Sequence, residues 1–323
     1  MLTLRTRFAC LLLLLASTGI VVPLVGCGGS SDSSSPGAVT VVATTTQLGD
    51  FVRAVGGDRV EVVQLLQPNS DPHEYEPRPD DVRALLDAPL VFESGDGLDA
   101  WMGGVITEAG GHPRVVTLAN ANVTRLAGDQ SGAEASRYDP HWWHDPRNVE
   151  AAIPLIRAAL SRANPAAAAV YARNARSYLR RVERLDAGIA ACLRRVPAAQ
   201  RKLVTDHDAF GYFARRYGIE VVGTVIPSQT TQAQPSAGDL AQLVQTIRRE
   251  HVHAIFPESS VNAKLAQALA RETGASADAT LYGDTLGPAG SDGATYLSME
   301  RHNADAMVRG FTAGRQGCAI PGL

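Results

Sequence analysis

An apolar stripe at Tyr171, Ala175, Tyr178, Val182, Leu185, Ile189 and Cys192 constrains this chain more than any other feature. The gaps alternate between four and three residues, which keeps the stripe on one face of an α-helix. The other face carries Arg173, Arg176, Arg180, Arg181, Glu183 and Arg184, an ordinary solvated surface. Asn164 suits an N-cap, and Pro165 suits the first helical position. From residue 164 to 192 such a helix rises roughly 40 Å. That length spans two domains and resists bending far more than a loop hinge does.

A set of short apolar runs lies on either side of this helix. Before it, runs at 39–44, 61–66, 90–93 and 114–118 read as strands, with helical stretches at 48–55 and 79–86. After it, strands are expected at 202–205, 220–223, 254–256 and 279–282, with helices at 208–217, 237–250 and 263–273. Strand and helix in alternation predict a parallel sheet covered by helices. The expected architecture is α/β with two lobes, residues 39–160 and 196–318, each holding a mostly parallel sheet and joined by one long rigid helix at 161–195. A length of 323 residues allows two domains of ordinary size. The polar segment 127–137, with Gly128, Ser131 and Gly132, reads as a mobile surface loop.

The first 26 residues read as an export signal. Arg5 and Arg7 supply the positive start, and the leucines from Leu11 to Leu15 supply the apolar core. Gly19, Pro23 and the small residues near Cys27 argue against a membrane-spanning helix. Leu24-Val25-Gly26-Cys27 resembles the bacterial lipobox, after which the cysteine carries lipid. Residues 27–38 are rich in glycine and serine and read as a flexible tether. The expected location is outside the cytoplasm, held to the cell membrane through lipid on Cys27.

Charge excludes one class of partner. Losing residues 1–26 removes two arginines and no acids, so the formal charge moves from −3 to −5. No basic stripe appears, so no nucleic-acid partner is expected. Of four cysteines, Cys10 leaves with the signal and Cys27 takes lipid. Cys192 and Cys318 remain, and in an oxidising compartment two leftover cysteines most often pair. Two free buried thiols, or thiolate ligands, are the other readings.

Three histidines sit in polar runs that follow apolar strands. They are His73 in Asp71-Pro72-His73-Glu74-Tyr75-Glu76-Pro77, His141 in Asp139-Pro140-His141-Trp142-Trp143-His144-Asp145-Pro146, and His207 in Thr205-Asp206-His207-Asp208. Asp284, in Tyr282-Gly283-Asp284-Thr285-Leu286, offers a carboxylate in a similar place. Ligands of open parallel sheets gather at the carboxyl ends of strands. Two candidates come from each lobe, which would put a metal in the cleft between them. Three imidazoles and one carboxylate fill a tetrahedral zinc shell and leave no position for water. A closed shell argues for holding a metal rather than for catalysis, so no enzyme activity is expected. His144 is a further ligand candidate, and Glu74 and Glu76 are alternate donors or a source of negative field. Asp206 or Asp208 is placed to orient His207. Trp142 and Trp143 are expected to pack at the cleft and exclude water. His112, His251, His253 and His302 lie in less suggestive settings and read as structural or exposed.

These four runs resemble, in order, the ligand runs of the zinc/manganese solute-binding proteins of bacterial ABC importers, the cluster A-I metal-binding lipoproteins. The resemblance covers about residues 39 to 312. It selects His141 over His144, because His144 stands where the family's run has an apolar residue. It implies two α/β lobes joined by a rigid helix, a metal between them, and the permease of a metal importer as partner. The manganese members commonly have a glutamate at the place of His207. Nitrogen-rich, four-coordinate surroundings suit zinc, and manganese favours more oxygen. Zn²⁺ is therefore the expected cargo, with Mn²⁺ second, carried by a monomer. The histidine-rich loop of many zinc members is absent here. Ligand histidines must be neutral, so affinity is expected to fall below about pH 6. Two rival functions remain at this point: a secreted zinc hydrolase with Glu74 as base, and a surface adhesin. No HExxH, GxSxG or P-loop pattern supports the former.

Overall fold

Strand β1 (Val39–Ala43) is an interior strand, and its β-branched residues suit that place. It pairs in parallel with β2 (Val60–Gln64), Val39 facing Val60 and Ala43 facing Gln64. On its other side it meets β3 (Leu90–Glu93), which pairs with β4 (Arg114–Thr117). The strand order is β2-β1-β3-β4, all parallel. Val41, Val42 and Ala43 have no exposure, as parallel strands covered on both faces require. This is a computed structural model that describes residues 37–130 and 135–323. The expected signal segment, Cys27 and all but the last two residues of the expected tether lie outside the described residues.

The helices of this half are α1 (Thr46–Gly56), α2 (Pro79–Asp87) and α3 (Trp101–Ala109), followed by α4 (Pro146–Ala163). The Thr45 side chain accepts from Leu48 N and starts α1. Asp145 does the same for α4, accepting from Arg147 N with Pro146 in the first turn.

The long helix α5 (Ala168–Arg194) has 27 residues, and all seven seam residues named above are buried on it. It packs against α4, α1 and α9. Its start differs from the expected one. Asn164 ends α4, its N–H bonded to Leu160 O, and residues Pro165–Ala167 form a 3₁₀ turn before α5 begins. The Asn164 side chain donates to Gly37 O instead of capping α5.

The second half contains β5 (Lys202–Thr205) and β6 (Glu220–Thr224), paired in parallel, with α6 (Gly211–Tyr217), α7 (Ala237–Arg249) and α8 (Lys264–Thr273). The expected strands at 254–256 and 279–282 are reduced to isolated parallel bridges, Ala254 with Ser276, Thr205 with Phe256 and Glu258 with Leu281. Pro257 follows Phe256 and has no N–H to continue a ladder. Helix α9 (Tyr296–Phe311) has no counterpart among the expected elements. Its polar Glu300 and Asn303 are buried and interrupt the apolar pattern. The described ends of the 127–137 segment are paired, with Ala127 bridged antiparallel to Tyr138 and Gly128 N donating to Arg137 O. One apolar cluster runs from β1 through α5 to α9, so both halves share a core. Among the described residues no helix is long and apolar enough to cross a membrane.

Cys192 and Cys318 are paired in a disulfide with their Cα atoms 5.4 Å apart. It fastens the carboxyl end of α5 to the chain segment beyond α9.

Candidate metal centre

The carboxyl ends of the two sheets deliver the site. His73 follows β2, His207 follows β5, and Asp284 follows the Leu281 bridge. His141 precedes the turn that leads into α4. One ligand atom from each of these four lies within 4.8 Å of every other. His141, His207 and Asp284 have no exposure, and His73 has 4%.

The distances suit one small ion. His141 Nε2 is 3.2 Å from Asp284 Oδ1, and His207 Nε2 is 3.3 Å from Asp284 Oδ2. The two Nε2 atoms are 3.4 Å apart. A tetrahedron with zinc bond lengths has edges of roughly 3.3 Å. His73 Nε2 stands slightly further out, 3.9 Å from Asp284 Oδ2. Both oxygens of Asp284 are buried without a well-aligned hydrogen bond. A buried carboxylate left this way is costly unless a cation completes it.

The far side of each ring fixes which nitrogen faces inward. His141 Nδ1 is bonded to Asp139 Oδ1 at 2.8 Å, and His207 Nδ1 to Glu258 Oε1 at 3.0 Å. Both carboxylates also accept the backbone N–H of their own histidine. This holds both Nε2 atoms toward Asp284. Asp284 is placed from the opposite half, where Gln47 Nε2 donates to its carbonyl at 2.8 Å. Thr46 Oγ1 accepts Leu286 N, and Trp143 Nε1 donates to Gly283 O. Trp142 and Trp143 are fully buried, and the Trp143 ring lies 5.6 Å from the His141 ring.

Charge follows from this packing. Burial works against a charged His141, but Asp139 and Asp284 outweigh it and push the ring up to about 9. Burial likewise opposes a charged His207, and Asp284 and Glu258 carry it well above the usual range. Burial would raise Asp284, yet the surrounding imidazoles hold it well below the ordinary carboxylate value.

Several expected roles fall elsewhere. Glu258, not Asp206 or Asp208, orients His207. Asp206 lies one layer further out, accepting Glu258 N, and burial together with the Glu258 charge lifts it to about 7. The sequence carried a signal for Glu258: an acid just beyond the apolar Ala254-Ile255-Phe256 run. Glu74 and Glu76 are exposed and stand outside the convergent group. His144 is also outside it. Its Nδ1 bonds Glu300 Oε1 at 2.7 Å in a fully buried pair, and its ring stacks 4.5 Å from Phe210. His112, His251 and His253 are exposed, and His302 is half-buried with its Nε2 bonded to Thr280 O.

The family described as zinc-uptake complex component A, periplasmic, matches residues 41–310. The zinc-binding protein TroA of Treponema pallidum is 31% identical over 305 residues, covering 93% of this chain and 96% of that one. The manganese-binding lipoprotein MntA of Bacillus subtilis is 32% identical over 295 residues, 88% and 94% of the two chains. The solved structure of the Treponema pallidum periplasmic zinc-binding protein TroA superposes with a TM-score of 0.77 at 31% identity, covering 85% of this chain and 99% of that chain. These relatives are named for different metals, zinc and manganese. The chain belongs to this zinc-uptake family, the cluster A-I solute-binding proteins that serve as the periplasmic metal-binding components of ABC transporters.

Proposed function

We propose that this protein captures Zn²⁺ outside the cytoplasm on His73, His141, His207 and Asp284 and hands it to the permease of an ABC importer. One observation carries the reading: three imidazole nitrogens and one carboxylate meet at a single buried point. Three nitrogens and one oxygen favour zinc over manganese, which prefers more oxygen. The 3.2 to 3.4 Å separations fit a four-coordinate ion of zinc size. Asp139 and Glu258 add negative charge behind two of the ligands, which helps a dication lie in a site without solvent.

Lipid on Cys27 would hold a monomer to the membrane, and residues 27–38 would let the body reach the permease. In this reading residues 39–160 and 196–318 are the two lobes and α5 is their stiff connection. Movement on loading is then a matter of loop and small lobe shifts. Nothing observed favours the rival readings. Four protein donors leave no position for an attacking water, and Glu74, the base a hydrolase would use, is exposed.

Metal analysis of protein purified without added metal, followed by zinc–manganese competition, tests the proposal. Zinc should be retained and should displace manganese at equal concentrations. Stable manganese occupancy in the presence of zinc would reverse the choice of cargo.

A further inference from the structure

His73 differs from the other three residues of the centre. It is 4% exposed where the other three have no exposure, and it lines two cavities. One cavity, of about 20 Å³, is lined by His73, Asp96, Asp129, Ser136, Gln229 and Thr230. The other, of about 360 Å³, is lined by Pro72, His73, Tyr75, Trp101 and Gln232 among others. A volume near 20 Å³ holds about one water molecule, far less than a hydrated dication. The smaller cavity is too tight for a hydrated dication, and the loop after β6 supplies Gln229 and Thr230 to its wall and Gln232 to the wall of the larger one.

This loop also holds His73 in place. Thr231 Oγ1 donates to Asp71 Oδ2 at 2.6 Å, and Asp71 Oδ1 accepts His73 N at 2.9 Å. Gln232 Nε2 donates to the His73 carbonyl. Alongside, Ser228 Oγ and Gln229 N donate to Asp129 Oδ2 at 2.6 and 2.8 Å. Four side-chain and backbone groups of one half thus grip two acidic segments of the other, across the sole exposed edge of the described centre. None of these groups is among the four convergent residues.

We propose that residues 228–232 form a latch that positions His73 and sets the rate at which the metal leaves. Thr231 and Gln232 are the positioning residues, acting through Asp71 and through the His73 carbonyl. The inference rests on the metal-binding reading of the four-residue centre. His73 has the longest separation from Asp284, so it is the donor most readily withdrawn. A closed latch keeps it in reach, and an open latch removes it and widens the passage together. His141, His207 and Asp284 keep their own supports from Asp139, Glu258 and Gln47 in either state.

The experiment uses the full chain and its T231A, T231S and Q232A variants. Zinc dissociation is followed by stopped-flow challenge with excess chelator, and cobalt(II) spectra report the coordination. T231A and Q232A should each release zinc about tenfold faster, the scale of losing one hydrogen bond to a charged or ligand-bearing group. T231S keeps the hydroxyl and should behave as the parent. All four proteins should retain a four-coordinate cobalt spectrum. Unchanged release in T231A and Q232A, or equal release from T231A and T231S, overturns the latch. A parent protein that binds neither zinc nor cobalt overturns the site reading itself, and the latch with it.

Discussion

Glu258 Oε1 lies 3.0 Å from His207 Nδ1 and also accepts the His207 backbone N–H. One carboxylate thus fixes both the ring and the main chain of a residue 51 positions away. The imidazole is left with Nε2 as its inward atom, which makes Glu258 as much a part of the centre as the four convergent residues.

Replacing Glu258 by glutamine keeps the shape and removes the negative charge. Zinc affinity should fall by roughly 10- to 100-fold, the usual cost of losing a group that supports a ligand. Titration calorimetry against zinc checks this. An affinity equal to the parent would show that the charge behind His207 is idle.

The metal-free centre sets a pH dependence. His141 titrates near 6.5 in an unfolded chain and is pushed up to about 9 here, with burial opposed and outweighed by Asp139 and Asp284. The folded state then holds a proton that the unfolded state has lost. That stabilisation is full below about pH 6.5 and disappears as pH rises through about 9. The melting temperature of metal-free protein should therefore decline between these values. Zinc needs the neutral ring, so its affinity should rise over the same span and its binding should release protons. The fall in affinity thus begins well above the pH of about 6 expected from unperturbed histidines. Melting scans of stripped protein, with zinc calorimetry in two buffers of different ionisation heat, test both halves. A flat melting profile together with no proton release would contradict the charge state described.

His144 predicts a separation of stability from binding. It forms a fully buried pair with Glu300 at 2.7 Å and is not among the convergent residues. Removing one partner leaves the other's polar atoms buried and unsatisfied, which costs about 1–3 kcal/mol. H144L should lower stability on that scale while leaving zinc affinity within about tenfold. The double variant H144L/E300L should recover much of the loss. Denaturant melts beside zinc titrations decide it, and loss of zinc binding in H144L with stability intact would assign His144 to the centre.

Reducing the Cys192–Cys318 bridge should affect folding rather than metal. It closes a loop with a sequence separation of 126, for which chain entropy gives roughly 4–5 kcal/mol. The paired serine variant should melt at a markedly lower temperature and bind zinc as the parent does. Differential scanning calorimetry with and without reductant gives the first quantity, and chelator competition gives the second.

Much of the fold could be read from local pattern. The seam from Tyr171 to Cys192 is buried residue for residue on α5, since helical periodicity is a property of the segment itself. The first sheet's strands were legible from β-branched runs, and the four residues that converge stand in polar runs, His73, His207 and Asp284 after strands or a bridge and His141 ahead of α4. The strands at 254–256 and 279–282 were overread, because an apolar run does not reveal that Pro257 interrupts the ladder. Helix α9 was missed because Glu300 and Asn303 are polar yet buried.

What the sequence determined by itself was which segments form helices and strands, and which side chains have donor atoms to offer a metal. Only the tertiary structure decided which partners those side chains meet. Glu258 reaches His207 across 51 positions, Glu300 takes His144 across 156, and Gln47 steadies the Asp284 backbone across 237. Periodicity is local and survives in a one-dimensional reading. Hydrogen-bond partners so far apart in the chain are chosen by how the two sheets and α5 pack, and residue spacing alone does not encode that choice.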